Sequence, residues 1–209
     1  MITEVTGILL AGGKSRRMGE DKRFVEIGRR SLLERSLDIL RSVFQDVVIV
    51  IAQDSPDLSS AVPVVRDLVA DCGSLGGLYT GLTHARTSRV FVVACDMPFF
   101  SQETVRYFLD LRSEADIVMA RLHNGWHPMH ALYGRRCLPV MESMMTTKDL
   151  RIHRLVEHPM LRSHTVTAED LKTVDPEGRA FLNINTPADL ELARSIFANN
   201  RSRNDTFQP

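Results

Sequence analysis

The strongest constraint on the fold is an alternation of short apolar runs with segments of helical period. The runs VTGILLA, DVVIVIA, VPVVRD, RVFVVACD and ADIVMA are rich in β-branched residues and short enough to be strands. Between the first two, SLLERSLDILRSVF repeats apolar residues at helical spacing, and Ser31 with Glu34 has the spacing of a capping box. The run VFVVA is apolar on both faces, as in a central strand that helices cover on each side. The pattern predicts an α/β fold, a three-layer α/β/α sandwich with a mostly parallel, Rossmann-like sheet.

After about residue 121 the alternation becomes less regular. HNGWHPMHALYG is typical of an extended segment, and RRCLPVMESMM and KDLRIHRLVEH of helices. FLNIN predicts a further short strand before the final helix TPADLELARSIFA, where Thr186 is suited to the cap and Pro187 to the first turn. The last residues are polar and aperiodic. We predict a single domain over residues 1–199 and a disordered tail over residues 200–209.

Composition excludes several classes of function. The 26 Lys and Arg residues balance the 26 Asp and Glu residues, so no broad surface favours nucleic acid or membrane, and any anion site must be local. Cys72, Cys95 and Cys137 are odd in number and include no C-x-x-C pair, which argues against a disulfide framework or a zinc knuckle. No run approaches the ~20 apolar residues of a membrane-spanning helix. We therefore expect a cytoplasmic protein.

The first strand runs into a loop, AGGKSRRMGEDK, whose chemistry suits a polyphosphate. Adjacent Gly12 and Gly13 allow backbone N–H groups to approach an anion without an intervening Cβ. Arg16, Arg17 and Lys22 supply N–H donors that suit phosphate oxygens. The loop matches neither the dinucleotide motif G-x-G-x-x-G nor the P-loop motif G-x-x-x-x-G-K-[ST]. The two glycines alone are also compatible with an ordinary strand-to-helix turn.

Carboxylates follow two further predicted strands. Because ligands of open parallel sheets bind beyond the carboxyl ends of the strands, Asp67 and Asp96 are expected at the same edge as the glycine loop. Asp67 is also compatible with an ordinary loop carboxylate facing solvent. Asp96 could cap the next helix, although Ser101 is itself a good cap for it.

Four ordered motifs resemble those of the molybdenum cofactor guanylyltransferases, within the wider nucleotidyltransferase family. LAGGKSRRMGEDK resembles their signature loop, and GSLGGLYTGL, CDMPFF and NINTPADL resemble three later segments in the family's order. The resemblance covers nearly the whole chain. It implies the fold of the nucleotide-diphospho-sugar transferases, with a GTP half over about residues 1–100 and a pterin-side half over about residues 101–199.

The resemblance also implies an activity: transfer of GMP from GTP to the terminal phosphate of molybdopterin, with release of pyrophosphate and use of Mg²⁺. It implies that Asp96 is the magnesium ligand. It further implies a GTP site made of Leu10, Ala11, Gly12, Gly13, Lys22, Asp67 and Asp96. Molybdenum-cofactor carrier or insertion proteins and acceptor oxidoreductases would be partners.

Two departures from the family pattern are visible. VIVIAQD has Ile51 or Gln53 where the family often has an Asn contact, and Ser74 stands where GPLGG would have Pro. The first leaves a base or ribose contact without an obvious residue, and the second affects loop stiffness more than chemistry.

Nucleotidyl transfer requires positioning and charge neutralisation more than acid–base chemistry. Lys22 and Arg17 are expected to balance charge on the β and γ phosphates, and Asp96 to hold magnesium against phosphate oxygens. The attacking phosphate is already anionic, so the reaction needs no general base. Asn183 and Asn185 share one face if the segment is a strand, where they suit a pterin or phosphate, or else they support the turn before the last helix.

His127 and His130 have the i, i+3 spacing of metal ligands on a helix. Pro128 argues against a helix, so we assign them a core-lining or substrate-side role and predict no zinc site. Three alternatives to the leading function stay open: a molybdopterin cytidylyltransferase, a sugar-phosphate or polyol-phosphate nucleotidyltransferase, and a non-catalytic nucleotide-binding protein.

Overall fold

The computed structural model describes residues 1–12, 21–111 and 114–205, with side chains through residue 199. Gly13 and Arg17 lie outside the described residues. The strands are β1 (Val5–Leu10), β2 (Glu26–Ile27), β3 (Arg30–Ser31), β4 (Val47–Ile51), β5 (Val64–Arg66), β6 (Arg89–Ala94), β7 (Ile117–Leu122), β8 (Gly125–Gly134) and β9 (Ser163–Val166). The α-helices are α1 (Leu32–Val43), α2 (Gly73–His84), α3 (Gln102–Asp110), α4 (Leu138–Thr146) and α5 (Pro187–Asp205). Short 3-10 helices cover Lys22–Phe24, Arg135–Cys137, Ile152–Glu157 and Arg179–Phe181.

In the described part of the chain, seven strands form one sheet in the order β5-β4-β1-β6-β8-β7-β9, and β2 with β3 forms a small hairpin. The pairs β4–β5, β1–β4, β1–β6 and β7–β9 are parallel. β8 is antiparallel to both of its neighbours, β6 and β7. The strand β6, which contains VFVVA, lies fourth of the seven, and its interior positions are buried. The predicted central strand is therefore confirmed.

Helices cover both faces of the sheet. Successive residues of β1 alternate between the two sides, with Leu9 in the core on one side and Ile8 in the core on the other. Apolar residues of α1, α3 and α5 pack on the first side, including Leu40, Phe108 and Ala193. Apolar residues of α2 and α4 pack on the second side. The alternation follows from the two-residue period of a strand and produces the predicted three-layer sandwich.

Helix starts agree with the sequence signals. Ser31 and Glu34 form a complete capping box at α1. At α5, the Thr186 backbone N–H donates to Asp189 Oδ2 at 2.8 Å, and the Asp189 N–H donates to Thr186 Oγ1 at 3.2 Å. These local bonds satisfy N–H groups that a helix leaves without partners at its start.

The second half departs from the sequence expectations. FLNIN is not a strand: Phe181 ends a 3-10 helix, and Ile184 donates its N–H to the Asp96 carbonyl at 2.9 Å, in the loop after β6. A strand needs a neighbour to pair along its length, and this segment has no place in the order of the sheet. The helix expected from KDLRIHRLVEH is the short 3-10 helix Ile152–Glu157.

The final helix is longer than its apolar pattern indicates and runs to Asp205. No Gly or Pro interrupts residues 199–205, so nothing local ends the helix there. It enters the segment predicted as a tail, of which residues 206–209 lie outside the described part. None of the described helices combines the length and apolar character needed to cross a membrane.

Candidate active site

Parallel pairing aligns the carboxyl ends of four strands at one edge of the sheet. Leu10 at the end of β1 is in register with Val50 of β4 and with Ala94 of β6. The ladder continues beyond the strands, because Ala11 N–H donates to the Val50 carbonyl at 2.8 Å and Cys95 N–H donates to the Leu10 carbonyl at 3.0 Å. Residues that follow different strands therefore lie side by side, as expected for this topology.

A cavity of about 270 Å³ lies at this edge. Its lining includes residues predicted for the GTP site and one predicted for the pterin side: Leu10, Ala11, Gly12, Lys22, Asp67, Asp96 and Asn183. Gly73 and Ser74, at the start of α2, also line it. The structure thus brings together every described residue of the predicted GTP site.

Gly12 has a packing reason to be glycine. A Cβ at this position would lie 2.8 Å from the backbone nitrogen of Ala52, just after β4. A backbone atom cannot move aside as the end of a flexible side chain can, so any larger residue would displace the loop. Close approach of two strand ends therefore requires Gly12 in addition to any contact with an anion.

The Asp96 carboxylate is mostly buried and incompletely satisfied. Its Oδ2 lies 3.9 Å from Lys22 Nζ, whereas its Oδ1 is buried and has no hydrogen-bond partner among the described residues. Burial raises the pKa of this carboxyl, and the nearby Lys22 ammonium partly opposes the shift. The following helix, α3, is capped by Ser101 in a capping box with Thr104, so Asp96 is not its cap. A buried carboxylate oxygen without a donor is suited to a cation.

Asp67 is held at the same edge by its backbone. Its N–H donates to the Ile51 carbonyl at 2.9 Å, and its carbonyl accepts from Gln53 Nε2 at 2.9 Å. Its Oδ1 is buried without a partner among the described residues, and burial raises the pKa of this carboxyl to about 6. The carboxylate therefore does not simply face solvent. Gln53, at one of the positions that depart from the family pattern, fixes the backbone of Asp67.

Replacing Asp67 by Asn should stabilise the protein near neutral pH and have little effect near pH 4. The unfolded carboxyl titrates near its ordinary pKa of about 4, but the folded one titrates at about 6, so the native state binds more protons between these values. The stability of the wild type consequently falls as pH rises through this window, and Asn mimics the neutral form. We expect a gain of about 1 kcal/mol in the free energy of unfolding above pH 7, after allowance for partial exposure. Urea unfolding of the wild type and the variant near pH 4 and above pH 7 measures this gain. An equal gain at the two pH values would contradict its assignment to the raised pKa of Asp67.

Lys22 joins the two halves of the chain. Its Nζ donates to the Ile184 carbonyl at 2.7 Å and to Asn185 Oδ1 at 3.0 Å. The Asn185 backbone N–H is in turn fixed by Asp189 Oδ2 at 2.8 Å. Thr186 and Asp189 exchange the capping hydrogen bonds at the start of α5, whereas the Asn185 side chain contacts the lysine. The sequence analysis singled out Lys22 and Asn185 but did not predict the contact between them.

Other candidate residues have plainer roles. His130 is completely buried against the rings of Phe91 and Phe181, and burial lowers its pKa to about 3. His127 Nε2 pairs with Asn124 Oδ1 at 2.8 Å. Within the described ranges, no three His, Cys, Asp or Glu side chains come together to hold a metal. Burial raises the pKa of the Cys95 thiol to about 12, so it is not a nucleophile at neutral pH.

Arg23 is a charged cavity residue that the sequence analysis missed. Arg23 lines the cavity beside Lys22 and is only 5% exposed. An arginine next to a lysine in a polar loop gives no sign of burial, because arginine is usually exposed. The only local signal is the spacing of Asp21 and Arg23, which allows an ion pair across one intervening residue.

The sheet is mostly parallel, and two buried carboxylates and a lysine lie at its carboxyl edge. This arrangement is typical of a nucleotide-binding α/β protein. The family model of the MobA-like NTP transferase domain matches residues 7–166, and the chain belongs to this family. It is a nucleotidyltransferase by family, as predicted from the sequence.

Individual relatives are similar over nearly their full length. A molybdenum cofactor guanylyltransferase from Desulfosudis oleivorans is 35% identical over 193 residues, which cover 91% of this chain and 95% of the relative. The crystal structure of molybdopterin-guanine dinucleotide biosynthesis protein A from Archaeoglobus fulgidus has a TM-score of 0.80 and 25% identity, covering 93% of this chain and all of that one. A Mycobacterium tuberculosis protein solved in complex with manganese shares the fold, with a TM-score of 0.65, 20% identity, and coverage of 92% of this chain and 98% of its own. The predicted fold class is confirmed.

Proposed function

We propose that this protein transfers GMP from GTP to the terminal phosphate of molybdopterin and forms the molybdopterin guanine dinucleotide cofactor. The observation that carries the proposal is the similarity to the Desulfosudis oleivorans guanylyltransferase, which extends over nearly all of both chains. The cavity at the carboxyl edge supports it, since it combines a lysine and carboxylates with a glycine that allows close backbone approach.

The proposed reaction is an in-line displacement at the α-phosphorus of GTP. An oxygen of the terminal phosphate of molybdopterin forms a bond to this phosphorus, and the bond between the phosphorus and the α–β bridging oxygen breaks. The bridging oxygen leaves with pyrophosphate, and no atom changes oxidation state. The protein must mainly position the two substrates and balance their charge.

Several residues of the cavity are assigned to GTP in this proposal. Leu10, Ala11 and Gly12 present backbone at the end of β1. Gly13, which lies outside the described residues, is assigned to GTP as well. Asp67 contributes a carboxylate with a buried oxygen that accepts from no described residue and suits an N–H group of the nucleotide. Lys22 and Arg17 are assigned to the leaving phosphates.

A divalent metal fits the site at Asp96. The Asp96 Oδ1 is buried without a partner among the described residues, and Mg²⁺ typically takes one or two carboxylates together with substrate phosphates and water. When bound, the metal would draw charge from the phosphate oxygens. Asp96 would hold it in place, and Lys22, 3.9 Å away, would supply a further positive charge. We propose Mg²⁺ as the physiological ion.

The proposed compartment for the reaction is the cytoplasm. Cys72, Cys95 and Cys137 are all free and buried, which agrees with a reducing compartment such as the cytoplasm.

Asn183, in the wall of the cavity, and Asn185, beside Lys22, are assigned to the pterin side. Molybdenum-cofactor carrier or insertion proteins and acceptor oxidoreductases remain predicted partners.

A four-nucleotide assay tests the proposed function. Purified protein is incubated with molybdopterin, Mg²⁺ and one of GTP, CTP, UTP or ATP, and pyrophosphate release and the dinucleotide product are measured. We expect turnover with GTP and at least tenfold less turnover with each of the other three nucleotides. A base that leaves polar groups of its site unpaired loses more than about 1.4 kcal/mol of binding free energy. Turnover with CTP alone would refute the guanylyl assignment and favour a cytidylyltransferase. Nucleotide binding without release of pyrophosphate would favour a non-catalytic protein.

A further inference from the structure

Arg23 is a buried cation in the wall of the cavity. Its neighbour Asp21 holds it from one side: Arg23 Nε lies 3.0 and 2.9 Å from the two carboxylate oxygens, and Nη2 lies 2.5 Å from Oδ2. Asp21 Oδ1 also accepts the backbone N–H of Arg23 at 3.1 Å and so caps the short helix Lys22–Phe24. The ion pair with Asp21 raises the pKa of Arg23, which therefore keeps its charge.

The other end of the guanidinium is not paired in this way with any described residue. Arg23 Nη1 is buried and lacks a hydrogen-bond acceptor among the described residues. A buried N–H donor without an acceptor costs about 1–3 kcal/mol, and more when the group is charged. A donor of this kind in the wall of a cavity calls for a functional explanation.

A second Asp–Arg pair in the same chain shows that the ion pair alone does not bury the arginine. Asp149 and Arg151 have the same spacing, with Arg151 Nε 2.7 Å from Oδ1 and Nη2 2.8 Å from Oδ2. Arg151 directly precedes the 3-10 helix Ile152–Glu157, but its side chain is 58% exposed and does not line the cavity. Burial against the cavity, rather than the local pairing, distinguishes Arg23.

We propose that Arg23 binds a phosphate oxygen of a substrate through Nη1, as a further cationic contact beside Lys22. Two of the three N–H groups of the Lys22 ammonium donate to Ile184 and Asn185, so a phosphate gains from an additional donor in the same wall. The pairing with Asp21 orients the guanidinium in advance, which reduces the entropy lost on binding. This phosphate belongs either to GTP or to molybdopterin, and the choice of these two substrates rests on the proposed function.

The test measures anion binding in the full-length protein by titration calorimetry. The titrants are inorganic tripolyphosphate and GTP, and the variants are Arg23→Gln, Arg23→Lys and the matched control Arg151→Gln. We expect Arg23→Gln to weaken binding about tenfold, as for the loss of one charge-assisted hydrogen bond. Arg23→Lys keeps the charge but has no second terminal nitrogen, so it should also weaken binding, by at least threefold. Arg151→Gln should bind as the wild type does.

Steady-state kinetics separates the two sources of phosphate. A loss of tripolyphosphate and GTP affinity assigns Arg23 to the triphosphate, whereas a higher KM for molybdopterin with unchanged GTP binding assigns it to the acceptor. If folded Arg23→Lys and Arg23→Gln match Arg151→Gln in all these measurements, Arg23 is structural and the proposal is wrong. Tripolyphosphate binding that depends on Arg23 in a protein that transfers no GMP would support this inference while contradicting the proposed function.

Discussion

Replacing Asp96 by Asn is expected to reduce metal-dependent transfer by about 10³-fold and to leave the protein folded. The carboxylate supplies the negative charge that would hold a divalent metal, and Asn keeps the shape but not the charge. A bound metal contributes several kcal/mol to stabilisation of charge in the transition state, and each ~1.4 kcal/mol corresponds to a factor of ten in rate. The measurement is pyrophosphate release at saturating GTP over a series of Mg²⁺ concentrations.

The same substitution has a predicted effect on stability that separates function from folding. Burial raises the pKa of Asp96, so the ionised form is disfavoured in the folded state, and the neutral Asn removes that penalty at neutral pH. The free energy of unfolding of the variant should therefore equal or exceed that of the wild type near pH 7. A variant that unfolds more easily would show that the carboxylate is structural.

Asp116→Asn is a matched control at another buried carboxylate. Asp116 is 7% exposed, accepts the Arg162 backbone N–H at 2.9 Å, and lies 3.7 Å from Arg136 Nη1. It precedes β7 and does not line the cavity. Its replacement should lower stability by no more than about 1 kcal/mol, because Asn keeps an oxygen for the Arg162 N–H but loses the charge that faces the exposed Arg136, and it should leave the Mg²⁺ dependence unchanged. If Asp96→Asn forms product at the wild-type rate, Asp96 has no part in the mechanism.

The first half of the fold could be predicted because its signals are local. Strands such as β1 and β4 are buried on both faces, so they read as continuous apolar runs, and the capping box at Ser31 marks the start of α1 without reference to the rest of the chain. The second half could not be predicted as well. The antiparallel direction of β8 depends on which strands it pairs with, and β9 has only Val166 buried. Neither feature is visible in a local window.

The candidate site was predictable where a rule of topology applies. Asp67 and Asp96 were expected at one edge because each follows a parallel strand, and both line the cavity. The contacts of Lys22 were not predictable, because Ile184 and Asn185 lie 162 and 163 residues further along the chain. The burial of Arg23 in the cavity wall likewise has no signal in the neighbouring sequence. Sequence spacing predicted which groups take part in the chemistry, and only the fold shows which of them touch.

Replacing Lys22 by Ala is expected to slow transfer about 100-fold and to weaken GTP binding about tenfold. The ammonium would balance charge on the phosphates that leave, and removal of one such contact in phosphoryl transfer costs about 3 kcal/mol of transition-state stabilisation. It also lies 3.9 Å from Asp96 and bonds Asn185, so its loss removes a contact between the two halves of the chain. Single-turnover kinetics and GTP titration measure the two effects separately.

Two further variants decide whether Lys22 acts as a cation at the substrate or as a structural link. Lys172→Ala removes an exposed lysine that pairs with Glu169, and it should change neither rate nor GTP affinity. Asn185→Ala breaks the hydrogen bond to Lys22 but keeps the ammonium. At saturating molybdopterin, where a contact of Asn185 with the pterin does not limit the rate, Asn185→Ala should slow transfer far less than Lys22→Ala does if Lys22 acts on phosphate. The double variant should then be no slower than Lys22→Ala alone, since the contact is already lost. Equal losses in the two single variants would assign the effect to the link between the halves, and an unaltered rate in Lys22→Ala would leave the lysine without a catalytic role.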